Sequence, residues 1–112
     1  MIEIAETKER GTVILQVAGR LDAATAGVLD ARLRAMLAAG EKRIVLEVSG
    51  LEYVSSAGLR VILMLSKLLR AANGKFAMAE MRPMVQEVFD LAGFSTLCQV
   101  CPSRDDAVAA VL

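Results

Sequence analysis

The chain predicts an α/β fold: one domain, residues 1–112, with a mixed central sheet of about four to five strands and about four helices. Three observations point to it. Two β-patterned runs at the start are followed by a repeated alternation of helical and strand patterns, which makes layered α/β sheets with right-handed crossovers. The run "RIVLEV" at 43–48 is apolar at nearly every position, as a strand covered on both faces is. Gly and Pro fall at the joins between runs, where turns and helix ends need them.

Taken in order, "IEIAE" (2–6) and "TVILQVAG" (12–19) read as two strands joined by a tight turn at Gly11. "LDAATAGVLDARLRAMLAAG" (21–40) carries a helical period, with Val28, Leu29, Leu33, Met36 and Leu37 on one side. Asp22 or Thr25 is its cap and Gly40 its close. "RIVLEV" is the third strand. A second helix runs from about Gly58 to Ala72, and Asn73-Gly74 stops it. "KFAMAEM" (75–81) is the fourth strand, and "PMVQEVFDLAG" (83–93) a helix with Pro83 at its start and Gly93 at its end. "LCQV" (97–100) reads as a short last strand and "PSRDDAVAAVL" (102–112) as a closing helix. The sequence carries no internal repeat, low-complexity tract or linker.

Composition narrows the function. The chain is 55% hydrophobic with one Tyr and three Phe, so its core is aliphatic and its apolar content exceeds what a small core needs. Such an excess points to a partner surface. Acids and bases balance at 13 each, which leaves no field to attract nucleic acid, and so few aromatics offer no stacking platform for single strands. No apolar run reaches the roughly 18 residues of a membrane span. The start "MIEIAETKER" lacks the pattern of a signal peptide, so a cytoplasmic location is expected.

Catalytic chemistry is poorly supplied. The chain has no His, the commonest general base and metal ligand. Lys67 lies about three helical turns beyond Ser56, too far to activate its hydroxyl. No Gly-rich phosphate loop is present, and no metal or cofactor is expected. "CQVC" has the C-x-x-C spacing, but on a strand Cys98 and Cys101 would lie about 10 Å apart on opposite faces. A disulfide needs Cα atoms within about 7 Å, so one core thiol and one at the strand's end are expected.

"YVSSAGLR" (53–60) is the informative stretch. Ser55 and Ser56 stand where a buried strand gives way to a helix. Either hydroxyl can cap the free amides of the first turn. The same place suits a phosphate, which helix N-terminal amides stabilise, and Gly58 removes a Cβ that would crowd its approach. A phosphoserine there adds close to two negative charges without unfolding the helix beneath. Arg60, Met64, Lys67 and Ala71 follow helical spacing along an outer stripe, and Val61, Leu65 and Leu68 widen the apolar face. That stripe is a docking strip or an ordinary solvated face.

These residues resemble the STAS domain of bacterial anti-sigma-factor antagonists over nearly the whole chain. "GRLDAATAGVLDARL" resembles the family's G-x-[LI]-D strand end and first helix. "IVLEVSGLEYVSSAGLRVIL" is similar to its central strand and switch loop, and "MRPMVQEVFDLAGF" to its third helix. The resemblance implies a non-enzymatic binding module that holds an anti-sigma factor with a GHKL-type serine kinase domain. The kinase phosphorylates the loop serine and a PP2C-type phosphatase restores it. By motif position the acceptor is Ser56, with Ser55 the alternative. The resemblance places Asp22 near the partner surface, and with the loop and the outer stripe of the helix the expected partner-binding set is Asp22, Ser55, Ala57, Gly58, Arg60, Val61, Met64 and Lys67, on a monomer or weak dimer. The chain departs from the pattern with Ser55 in place of an Asp, Ala57 in place of Ser or Thr, and Arg60 in place of a small residue. The resemblance also admits a STAS-type scaffold or accessory subunit, in a stress-signalling complex or a lipid transporter, with no phosphorylation cycle.

Overall fold

A computed structural model describes residues 1–94 and 98–112. The element order is β1 (Ile2–Glu9), β2 (Thr12–Leu21), α1 (Ala26–Ala38), β3 (Arg43–Glu47), β4 (Leu51–Val54), α2 (Ser56–Ala71), β5 (Lys75–Ala79), α3 (Pro83–Leu91), β6 (Gln99–Cys101) and α4 (Arg104–Ala110). The expected mixed sheet and four helices are present, with one strand more than expected.

β1 and β2 form an antiparallel hairpin whose register closes on Glu9 and Thr12. The two loop residues, Arg10 and Gly11, both have positive φ, as a type I′ turn requires and as its right-handed twist favours. The rest of the sheet is parallel, in the order β1-β2-β3-β5-β6. The additional strand is β4. It pairs in parallel with the end of β2, where Leu21 lies beside Val54. β2 outruns β3 at this end, so its free backbone groups are satisfied by Leu51–Val54, a segment not read as a strand from the sequence.

Alternation along β3 places Ile44 and Leu46 in one cluster and Val45 in another, so the strand is covered on both faces as expected. On one face, Leu29, Leu33 and Met36 of α1, Ile62, Leu65 and Leu69 of α2, and Val85 and Phe89 of α3 pack over Val13, Leu15 and Val17. On the other, Ala107, Val108 and Val111 from α4 and the residue after it pack over Ile14, Val45, Ala77 and Ala79. Two expected core placements differ. Val28 is 54% exposed, because the buried stripe of α1 runs through Ala26, Leu29, Leu33 and Met36, and Val28 sits one step off it. Leu65, expected to widen the outer face of α2, is fully buried. The last strand starts at Gln99; Leu97, expected within it, lies outside the described residues. Among the described residues no helix is long and apolar enough to cross a membrane.

Candidate functional site

The site sits at the end of the sheet where β2 and β4 finish together. Past the Leu21–Val54 pair, the Ser55 N–H donates to the Leu21 carbonyl at 2.9 Å. Asp22 and Ser55 are therefore the first residues beyond two paired strands. Ser55 is the N-cap of α2, in extended conformation, and its Oγ accepts from the Gly58 N–H at 3.4 Å. Its carbonyl accepts from the Leu59 N–H at 2.9 Å. Ser56 is the first helical residue and is exposed. The adjacent serines thus divide the tasks that the sequence left open: Ser55 caps, and the Ser56 hydroxyl faces solvent.

Gly58 is buried, and its role differs from the one expected of it. A Cβ there would fall 2.6 Å from Leu21 Cγ, 2.9 Å from Cδ2 and 3.1 Å from the carbonyl oxygen. The missing side chain makes room for Leu21, not for an approaching phosphate, and lets the first turn of α2 lie directly on β2. Ala57 and Val61 are half-buried beside it, and Arg60 and Lys67 are exposed. Met64 is half-buried, with the Arg34 guanidinium of α1 at 2.8 Å from its sulfur. Leu68, 39% exposed, continues the apolar part of the strip. The strip is short, basic and partly apolar.

Asp22 holds the neighbouring loop. Its Oδ1 accepts from the Ala24 N–H at 3.0 Å and the Thr25 N–H at 3.2 Å. Partial burial works against its charge, but these bonds and the Thr25 hydroxyl hold the carboxyl below its ordinary value. Thr25 occupies the N-cap position of α1, yet its hydroxyl donates to the Arg20 carbonyl at 2.8 Å and accepts from the Asp22 N–H. Of the two expected caps, Asp22 bonds the amides before the helix and Thr25 ties the loop to the strand.

Sequence reasoning missed Arg20 and Tyr53. The Arg20 guanidinium lies 4.4 Å from the Tyr53 ring centroid and 3.9 Å from Asp22 Oδ2. The two residues are partners across the β2–β4 register, which only the unexpected strand reveals. Cys98 and Cys101 are both free and buried, one in each of the two clusters that flank the sheet, so they lie on opposite faces as expected. Burial pushes the Cys98 thiol up to about 12, and burial with the nearby Asp106 raises Cys101. Neither is poised as a nucleophile. Among the described residues no group of three or more His, Cys, Asp or Glu could hold a metal ion.

Comparison with known proteins agrees with this architecture. The chain is 39% identical over 109 residues to BtrV of Bordetella bronchiseptica, whose name places it among the anti-sigma factor antagonists; the match covers 97% of this chain and 94% of that one. It is 28% identical to an anti-sigma F factor antagonist of Paenibacillus polymyxa, across 98% of this chain and 92% of that protein. A solved anti-sigma factor antagonist from Mycobacterium paratuberculosis superposes with a TM-score of 0.91 at 25% identity, covering 99% of this chain and 94% of that one. The description of the STAS domain matches residues 3–107, so the strand end at Asp22, the capped loop at Ser55–Gly58 and the helix they introduce are parts of one family fold, and this chain belongs to the STAS domain family.

Proposed function

We propose that this chain is an anti-sigma-factor antagonist whose binding is switched by phosphorylation of Ser56. Binding, not catalysis, is its activity. With Ser56 unmodified, the strip formed by Arg60, Val61, Met64 and Lys67, together with Asp22, Ser55, Ala57 and Gly58 at its head, holds an anti-sigma factor that carries a GHKL-type serine kinase domain. Gly58 and Ser55 position this surface, and the exposed side chains contact the partner. The kinase moves the γ-phosphoryl group of ATP to Ser56 Oγ, the hydroxyl proton passes to the kinase's base, and ADP leaves. The charge added at the head of the strip ends the complex. A PP2C-type phosphatase restores the hydroxyl. Partners of this kind place the protein in the cytoplasm.

One observation carries this reading: Ser55 provides the cap, which leaves Ser56 exposed and available to an enzyme. The names of its relatives support the partner class. The test is a pull-down from the native cytoplasm with wild type and Ser56→Asp as paired baits, followed by incubation of the recovered kinase with ATP. A kinase-bearing regulator should be retained by wild type and lost by the variant, and should phosphorylate wild type but not Ser56→Ala. Equal recovery on both baits, or phosphate appearing on Ser55, would overturn it.

A second reading draws on α3. Met84 and Leu91, on the same helix, are 78% and 83% exposed, two bare apolar side chains that a partner surface would cover. It favours a STAS-type scaffold or accessory subunit in a larger assembly, and recovery of transporter or stress-complex subunits on both baits would support it.

A further inference from the structure

We propose that Arg60 is a latch within the switch: a phosphate on Ser56 draws the Arg60 guanidinium back over the first turn of α2 and withdraws that cation from the docking strip. The proposal rests on Ser56 being the acceptor and says how its modification is read.

The geometry is that of one helical turn. Ser56 is the first residue of α2 and Arg60 stands four residues on; both are exposed. Residues so spaced are neighbours on the helix surface, with Cβ atoms about 5–6 Å apart, and an acid N-terminal to a base is the favoured order. Helical side chains lean toward the N-terminus, so a long side chain at position 60 covers the turn that begins at position 56. A guanidinium matches two phosphate oxygens at once, which an ammonium group cannot do.

Arg60 is also uncommitted. Lys8, Arg20, Arg32, Arg34 and Arg104 are each paired with a carboxylate, while Arg60 makes no ion pair among the described residues. Turning to a phosphate breaks nothing. The other charges near the head of α2 are less suited to the task. Arg20 is held by the Tyr53 ring and Asp22, and Glu52 and Asp22 would repel a phosphate. Lys67 is eleven residues along, out of reach. Phosphorylation would then act twice, placing an anion at one end of the strip and neutralising a cation within it. A small residue at position 60 would allow only the first effect.

The test needs neither partner nor kinase. Phosphoserine is installed at position 56 by genetically encoded incorporation, and the second ionisation of the phosphate is followed by 31P NMR in wild type, Arg60→Ala, Arg60→Lys and Lys67→Ala. Arg60→Ala should raise the midpoint by about 0.2–0.4 of a pH unit, with Arg60→Lys between and Lys67→Ala unchanged. The Arg60 Nε–Hε resonance should move with the same titration. Equal midpoints for wild type and Arg60→Ala, or an Arg60 resonance indifferent to the phosphate, would overturn the latch. Arg60 is exposed, so the variants keep the fold, which the amide spectrum checks. An unchanged titration would refute the latch alone, and only the pull-down bears on Ser56 as the natural acceptor.

Discussion

Gly58→Ala is the sharpest probe of how the first turn of α2 is seated on β2. The new Cβ would fall 2.6 Å from Leu21 Cγ and 3.1 Å from the Leu21 oxygen, where carbon contacts are comfortable only at about 3.5–4.0 Å. Leu21 cannot swing aside, because its side chain is fully buried and its carbonyl accepts from the Ser55 N–H. Either Leu21 leaves its rotamer or the first turn of α2 lifts. Overpacking of this kind costs about 1–3 kcal/mol. Ala's helical preference over Gly returns up to about 1 kcal/mol, leaving a net loss of up to about 2 kcal/mol when that return is complete. In urea denaturation followed by circular dichroism, the midpoint should drop, by up to about 1 M. Gly27→Ala is the internal control. Nothing lies within 4 Å of a Cβ at that helical position, so the substitution should raise stability by about 0.5 kcal/mol. If Gly58→Ala raised the midpoint as Gly27→Ala does, the close packing of α2 on β2 would be wrong, and with it the account of why a glycine stands there.

Three further outcomes follow from the same geometry. Ser55→Ala removes the cap of α2 and should lower stability by about 1 kcal/mol, while Ser56→Ala should stay within about 0.5 kcal/mol of wild type; equal losses in urea melts would refute the division of roles. Burial opposes ionisation of Glu47, but hydrogen bonds from Ser49 and Gln16 and the charge of Arg104 hold its carboxyl below the ordinary value of 4.5. Because the folded value is depressed, Glu47 adds stability above pH 4.5 that is lost as pH falls through the folded value. Urea midpoints measured from pH 6 to 3 should fall less steeply for Glu47→Gln; parallel curves would count against it. Cys98 and Cys101 should resist a thiol-disulfide reagent at pH 8 in the folded protein and react together once urea unfolds it, whereas rapid labelling of the native form would contradict their burial.

Much of the architecture was legible because its signals are local. Pro83 and Gly93 bracket α3, Gly40 has the positive φ that ends α1, and Asn73 the one that ends α2. The doubly buried β3 announced itself by its unbroken apolar run. What was missed depends on partners distant in sequence. β4 buries only Leu51 and Val54 and exposes Glu52 and Tyr53, so nothing in its four residues separates strand from loop until the overhanging end of β2 is in place. The Arg20–Tyr53 stacking follows from that register and was invisible without it. Gly58 was picked out for the room its missing Cβ would leave a phosphate, but what fills the space is a leucine 37 residues earlier. For Val28 and Leu65, helical spacing allows either side of the stripe, and only packing against the sheet settles that Val28 is exposed and Leu65 buried.

The division between the serines bears on how a small domain can be switched at all. A hundredfold change in partner affinity needs about 2.7 kcal/mol. A domain of this size has only about 5–15 kcal/mol of stability to begin with, so a switch that worked by melting α2 would endanger the whole fold. Modifying Ser55 would disturb the hydroxyl that caps the helix. Modifying Ser56 changes charge at an exposed position while Ser55 still holds the cap and Ile62, Leu65 and Leu69 anchor the helix below. Amide exchange protection along α2 should therefore be the same with and without phosphate on Ser56. Loss of protection at Ile62 or Leu65 in the phosphorylated form would mean that the signal travels through the fold and not across its surface.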